Sequence, residues 1–235
     1  MYEMKKRILY SDFDEKGDMQ LGRIVVSLQD CINAHSQDIG RGIDYMVKVG
    51  RTWFLVAWNI EIHRKPKLYE DVTLATWGYE YKMSSGHRNV TMKDAQGEIC
   101  VCADSLWSLV DMENGKPIRI TEADMEGYVI APRFEPMTYL PRKIKFDSEF
   151  ELADTVHVRR ADIDYNGHMT NANYIALACE YIPEDFPVQR IRGEYKAQSK
   201  YLERLNCFKS FADGRYIIRI AGEADDEDKC IVEFT

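Results

Sequence analysis

The sequence predicts an α+β protein made of two copies of one unit, each a long helix packed on an antiparallel sheet, and three observations predict it. Prolines divide the 235 residues near the middle, each half reads as strand, helix and then several strands, and residues of the first half recur in the second at constant spacing.

Pro117, Pro132, Pro136 and Pro141 fall between Met112 and Lys143, together with the turn Glu113-Asn114-Gly115-Lys116 and the helix-start signature Thr121-Glu122-Ala123-Asp124. Proline lacks an N–H and fixes φ, so this stretch is neither a central strand nor a long helix. It reads as a linker, 116–141, with one short helix between an N-terminal repeat, 1–115, and a C-terminal repeat, 142–235.

The first half shows one clear helix: Leu21, Ile24, Val25, Leu28, Cys31, Ile32 and His35 recur at helical spacing, and Gly40 and Gly42 close it. Strand patterns follow at 55–62, 71–81, 87–93 and 98–110, with Asp94-Ala95-Gln96-Gly97 as the turn between the last two. The second half has a shorter helix carrying Tyr174, Leu177, Ala178 and Tyr181 on one face and ended by Pro183. Strands are expected at about 189–198, 205–210, 215–221 and 229–234.

At an offset of 150, Asp12 meets Asp162, Asp14 meets Asp164, Gly17 meets Gly167 and Met19 meets Met169. After the helix the offset is 133, and Glu61 meets Glu194, Lys67 meets Lys200 and Glu70 meets Glu203. The loss is confined to one helix–loop region, as expected of a duplication. Two such units, with their sheets paired edge to edge, would mimic a symmetric dimer within one chain. That is the tandem hot-dog arrangement.

Composition narrows the function. Hydrophobic content of 45% and charged content of 30% exclude a disordered or coiled-coil chain. A net charge of −8 argues against nucleic acid as partner, since binding it takes a basic face. No apolar run approaches the ~18 residues of a membrane span. Lys5-Lys6-Arg7 is not followed by an apolar segment, so a cytoplasmic protein with reduced cysteines is expected. No cofactor or metal is expected either. Gly40-Arg41-Gly42 lacks a third glycine and follows a helix, no Gly-x-Ser-x-Gly elbow occurs, and Cys100-Val101-Cys102 has no second pair at zinc spacing, which leaves core packing as its use.

The string Asp162-Ile163-Asp164-Tyr165-Asn166-Gly167-His168-Met169-Thr170-Asn171-Ala172-Asn173-Tyr174 concentrates the chemistry. Each member has a plain structural use, since Asn-Gly makes turns and Asp and Asn cap helices. Together, however, Asp164, Asn166 and His168 place three hydrogen-bonding groups at every second position before a helix start, whose free N–H groups favour an oxyanion.

Asp-x-Asn-x-His followed by Asn-x-Asn-Tyr resembles the acyl-acyl carrier protein thioesterases, plant and bacterial enzymes that release fatty acids from their carrier, and the chain looks like a bacterial member. The likeness extends through Leu28-Gln29, Trp53-Phe54-Leu55, Thr76-Trp77, Ser105 with Trp107, and Asp111 with Pro117-Ile118-Arg119. The resemblance implies hydrolysis of fatty acyl thioesters on a tandem hot-dog fold, with acyl carrier protein as partner, in a monomer or homodimer. It places Asp164, Asn166 and His168 on the family's catalytic Asp, Asn and His. Gln198 and Ser199 fall where plant members carry Glu and Cys, and Gln198 cannot act as a base. An imidazole, with an ordinary pKa of about 6.5, suits that duty instead, with Asp164 to orient it and Asn166 to hold the water or carbonyl. In the first repeat Lys16 and Asp18 replace the amide and the imidazole, so one site per chain is expected, with Met46, Trp53, Trp58 and Met83 as candidates to line an acyl pocket. The alternatives are a hot-dog acyl-CoA thioesterase, an enoyl-thioester hydratase and a non-catalytic acyl-binding module.

Overall fold

The computed structural model describes residues 1–235, in two compact units, Met1–Leu140 and Pro141–Thr235. The first contains β1 (Tyr2–Arg7), α1 (Leu21–Asp38), α2 (Ile43–Val49), β2 (Arg51–Ile62), β3 (Asp71–Lys82), β4 (Ser85–Lys93), β5 (Ile99–Asp111) and α3 (Glu122–Met125). Its strands run β1-β3-β4-β5-β2, antiparallel throughout. The apolar stripe of α1 is buried as its spacing requires, and the helix packs on β1, β3 and β4.

The second unit contains β6 (Glu151–His157), α4 (Asn171–Cys179), β7 (Arg190–Tyr195), β8 (Arg204–Ala212), β9 (Arg215–Gly222) and β10 (Asp228–Phe234). The order β6-β8-β9-β10-β7 repeats that of the first unit strand for strand. Here α4 packs on β9 and β10, through Ala172, Tyr174, Ile175 and Ala178.

Three local features depart from the sequence expectation. The first unit has a second helix, α2, too short to show a periodic stripe and ended by Gly50 at φ 68°. Residues 116–140 are compact with the first unit. Trp77 Nε1 donates to the Pro132 carbonyl (2.8 Å), Asn59 Nδ2 to the Thr138 carbonyl (2.7 Å), and the Asn89 side-chain oxygen accepts from Phe134 N and the Tyr139 hydroxyl. The strand expected over 189–198 stops at Tyr195, because the N–H groups of Lys196 and Ala197 both turn to the Lys229 carbonyl and the ladder ends.

The duplication holds at the level of single bonds. In the first unit, the Asp12 carboxylate accepts from Leu9 N, Asp14 Oδ1 accepts from Lys16 N and Asp18 N, and Gly17 turns at φ 79°. In the second, the Asp162 carboxylate accepts from Arg159 N, Asp164 Oδ1 from Asn166 N and His168 N, and Gly167 turns at φ 78°. Glu70 and Glu203 each cap the N–H three residues before them, Lys67 and Lys200. Glu61 Oε1 accepts from Thr138 N as Glu194 Oε2 accepts from Ile144 N.

One polar group enters the first core. His35 on α1 is 4% exposed and stacks on Tyr2, with its Nδ1 2.6 Å from Nη2 of the buried Arg88. Burial, and then the Arg88 charge, push its pKa down to about 4, so the ring is neutral and Nδ1 accepts from the guanidinium.

Two predictions arise from this architecture. Because the His35 pKa is depressed in the folded state, the unfolded chain takes up the proton first as pH falls. The stability that the neutral ring allows is complete above about 6.5 and is lost progressively toward about pH 4, by about 3 kcal/mol in total. Melting temperatures measured from pH 7 to 4 should flatten in His35→Gln; an unchanged slope would remove His35 from the account. Asp14→Ala and Asp164→Ala, each breaking the same pair of turn bonds, should lower stability by a similar amount, about 1 kcal/mol, in denaturant titrations. A large difference between the two would show that Asp164 does a job Asp14 does not.

Candidate functional site

The site is built where the second unit's chain enters α4. A 3-10 turn, Arg160–Asp162, is closed by the Asp162 carboxylate, which Arg159 also holds through Nη2 at 2.8 Å. Ile163 and Met169 then pair as an isolated bridge, so the residues between them form a tight loop. Asp164 Oδ1 gathers the N–H groups of Asn166 and His168, and Gly167 takes the left-handed conformation that a side chain would strain. Thr170 caps the helix by accepting from Asn173 N, and Asn173 Nδ2 reaches back to the Asp162 carbonyl.

The loop also recruits the segment after β7. Met169 N donates to the Ser199 carbonyl at 2.9 Å, which lays residues 196–200 beside the helix entry. Ser199 is fully buried and Gln198 is exposed. Tyr174, one turn into α4, is 2% exposed, and burial pushes its hydroxyl pKa up while the neighbouring Ser199 opposes the shift. That contact with Ser199 falls short of hydrogen-bond geometry: Tyr174 Oη, Ser199 Oγ and His168 Nδ1 are all buried without a partner.

Native structures rarely leave such atoms unmatched, and each one costs free energy unless something meets it. Tyr174 Oη and Ser199 Oγ are neighbours, and His168 Nδ1 belongs to the loop that Met169 N ties to Ser199, so the three atoms form a candidate polar site. The corresponding positions of the first unit carry other residues. Ile24 stands for Tyr174, Pro66 for Ser199, Asp18 for His168 and Lys65 for Gln198, and Lys65 Nζ pairs with Asp18 Oδ2 at 3.4 Å.

The sequence-predicted residues thus separate by role. Asp164, Asn166 and His168 share the loop, but the Asp164 carboxylate serves the loop backbone and does not reach His168 Nδ1, which has no partner. Asn166 presents an exposed side chain while its N–H closes the turn. Ser199 is held beside the loop, with Gln198 next to it. Tyr174 was legible in the sequence as a helix-face residue and as the last member of the Asn-x-Asn-Tyr run; its hydroxyl becomes noticeable once Ser199 is placed beside it.

The candidate pocket residues fare unevenly. Trp58 and Met46 are buried, whereas Met83 sits in the β3–β4 turn at 77% exposure. Of the basic side chains, Arg7 pairs with Asp71, Arg64 with Glu70 and Asp94, Arg192 with Glu233, and Lys196 with Asp228. Lys5, Lys67 and Lys200 remain exposed. No helix is long and apolar enough to cross a membrane.

Comparison with known proteins bears on this architecture. The N-terminal-domain model of the acyl-ACP thioesterases matches residues 1–128, and the C-terminal-domain model matches residues 145–220. The chain is 26% identical over 175 residues to oleoyl-acyl carrier protein thioesterase 2, a chloroplastic protein of Arabidopsis thaliana, covering 67% of this chain and 47% of that protein. It therefore spans about half the length of the curated relatives it matches. Among solved structures it is similar to an acyl-ACP thioesterase from Bacteroides thetaiotaomicron, with TM-score 0.86 and 21% identity over 99% of this chain and 96% of that one. It is also similar to the 12:0-ACP thioesterase from Umbellularia californica, with TM-score 0.84 and 16% identity over 99% and 95% of the two chains. At these identities the structural likeness speaks for the hot-dog fold. With both family models matched along most of its length, this chain belongs to the acyl-ACP thioesterase family.

Proposed function

We propose that the chain hydrolyses fatty acyl thioesters carried by acyl carrier protein, by water attack at a single site in the second unit. The observation that carries the reading is the set of buried, unpartnered atoms His168 Nδ1, Tyr174 Oη and Ser199 Oγ, where the first unit carries Asp18, Ile24 and Pro66. Family membership supports this substrate class, and the chemistry of the loop supports the roles proposed for its residues.

In this mechanism the thioester carbonyl lies at the N-terminal end of α4, where the first N–H groups have no partner within the helix. His168 takes a proton from water as it adds to the carbonyl carbon. The tetrahedral intermediate collapses with cleavage of the C–S bond, and the imidazolium returns the proton to the leaving thiolate, giving a free fatty acid and a free carrier thiol. Asn166 orients the water or the carbonyl. Ser199 and Tyr174 are hydrogen bonders to water or substrate. Asp164 holds the loop that presents the other two.

Gln198 is a water-orienting amide in this scheme. The first unit supports that placement, since Lys65 and Asp18, at the positions of Gln198 and His168, come within 3.4 Å. Hydrolysis needs no cofactor here, because a thioester is an activated acyl donor. We assign the chain to the cytosol, where its six unbridged thiols would stay reduced.

The deciding experiment incubates the protein with a long-chain acyl carrier thioester and reads free thiol against time. Release of thiol supports the proposal. Absorbance change at a double bond with an enoyl substrate, or tight binding without turnover, would replace it with a hydratase or a binding module. His168→Ala should lower turnover by roughly 10²–10⁴ while the protein stays folded. Gln198→Glu should keep activity and Gln198→Ala should cost less than His168→Ala; a folded but inactive Gln198→Glu would remove Gln198 from the site.

Docking of an acidic carrier on an acidic chain requires a local basic surface, and Lys5, Lys67 and Lys200 are its exposed candidates. KM for the carrier-bound substrate should therefore rise with salt more than KM for the coenzyme A analogue. Equal responses would argue against a carrier-specific patch.

A further inference from the structure

We propose that the first unit binds one zinc-class divalent ion through Glu61, His63 and Cys102. Alternation along the chain puts Glu61 and His63, two residues apart at the end of β2, on the same side, and β5 presents Cys102 directly across from Glu61. The side chains converge. Cys102 Sγ lies 3.6 Å from His63 Nε2 and 3.7 Å from Glu61 Oε2, and a ligand atom from each of the three lies within 4.8 Å of the others.

Those separations are the ones zinc requires. Bonds of about 2.3 Å to sulfur and about 2.0–2.2 Å to nitrogen and oxygen set tetrahedral ligand atoms about 3.6 Å apart. Two of the three edges are thus already in place, and the third closes by a turn of the exposed His63 ring. A thiolate and an imidazole select zinc, cobalt and similar ions over magnesium and calcium. The carboxylate is also fixed as a ligand should be: Glu61 Oε1 accepts from Thr138 N, which leaves Oε2 turned toward the thiol.

The fourth position is open on the side of the exposed His63, where water completes the shell. On binding, the ion takes the place of the thiol proton that Cys102 directs at Glu61, and that proton leaves to solvent. The second unit sets a useful contrast. Its Glu194 keeps the backbone bond of Glu61, but Lys196 stands for His63 and Ile231 lies across from Glu194. The carboxylate alone is part of the fold, whereas the imidazole and the thiol are additions confined to the first unit. A neighbouring group, Glu70, Asp94 and Cys100, converges in the same way, but there the Arg64 guanidinium already supplies the cation.

The test uses the full chain after treatment with a chelator, titrated with Co2+. Expected is one ion per chain with a thiolate-to-cobalt charge-transfer band, displaced by one equivalent of Zn2+ and not by Mg2+ or Ca2+. His63→Ala decides the matter, because His63 is exposed and its loss leaves the fold intact. It should weaken Co2+ binding by about tenfold or more, and Cys102→Ala should remove the band, while Cys100→Ala should leave both unchanged. No band in the folded wild type, displacement by an equivalent of Mg2+, or full affinity in His63→Ala would overturn the proposal.

Discussion

The aspartate-closed entry to α4 is the constraint on which the candidate site depends. Two carboxylates, Asp162 and Asp164, take up backbone N–H groups of the turn and loop, and Gly167 supplies the one left-handed residue the loop needs. The pairing of Ile163 with Met169 then fixes where the helix begins, and Met169 N brings Ser199 to it. Remove the turn and the histidine, the amide and the helix terminus have no common frame. Its twin in the first unit, with Asp12, Asp14 and Gly17 in the same bonds, shows that this device belongs to the architecture and is independent of chemistry.

That independence is what let the two units diverge. A duplicated fold supplies two identical frames, and only the side chains placed on them differ. In the first, the Lys65–Asp18 ion pair, Ile24 and Pro66 occupy the corresponding positions. In the second, polar atoms at those positions are buried without partners, a cost that a structure bears where a ligand or water repays it. The first unit uses its own polar residues elsewhere. Its core takes in a neutral His35 against Arg88, and the end of β2 joins a carboxylate, an imidazole and a thiol across two strands.

The helices show the same economy. The 18 residues of α1 cover β1, β3 and β4 with an apolar stripe, while the 9 of α4 pack on β9 and β10 of a smaller unit. The 17 residues lost between the repeats fall here, where shortening a helix and its following loop leaves every strand pairing untouched. An insertion or deletion within a strand would have moved each side chain to the opposite face of the sheet.

By itself the sequence determined the repeat, the class of fold and the loop that we propose carries the chemistry. Each of these is local: helical spacing, strand alternation, turn residues and an ordered set of identities at fixed offsets are all properties of neighbours along the chain. The tertiary structure alone decided which contacts each residue makes. Asp164, Asn166 and His168 read as three equal members of a motif, but backbone N–H groups claim the aspartate and leave His168 Nδ1 unmatched. Tyr174 beside Ser199, and Cys102 beside His63, join residues 25 and 39 positions apart, and no spacing rule along the chain connects them. The physical reason is that strand pairing and helix packing bring distant side chains into contact, and whether a polar atom is satisfied depends on those contacts and not on its neighbours in sequence.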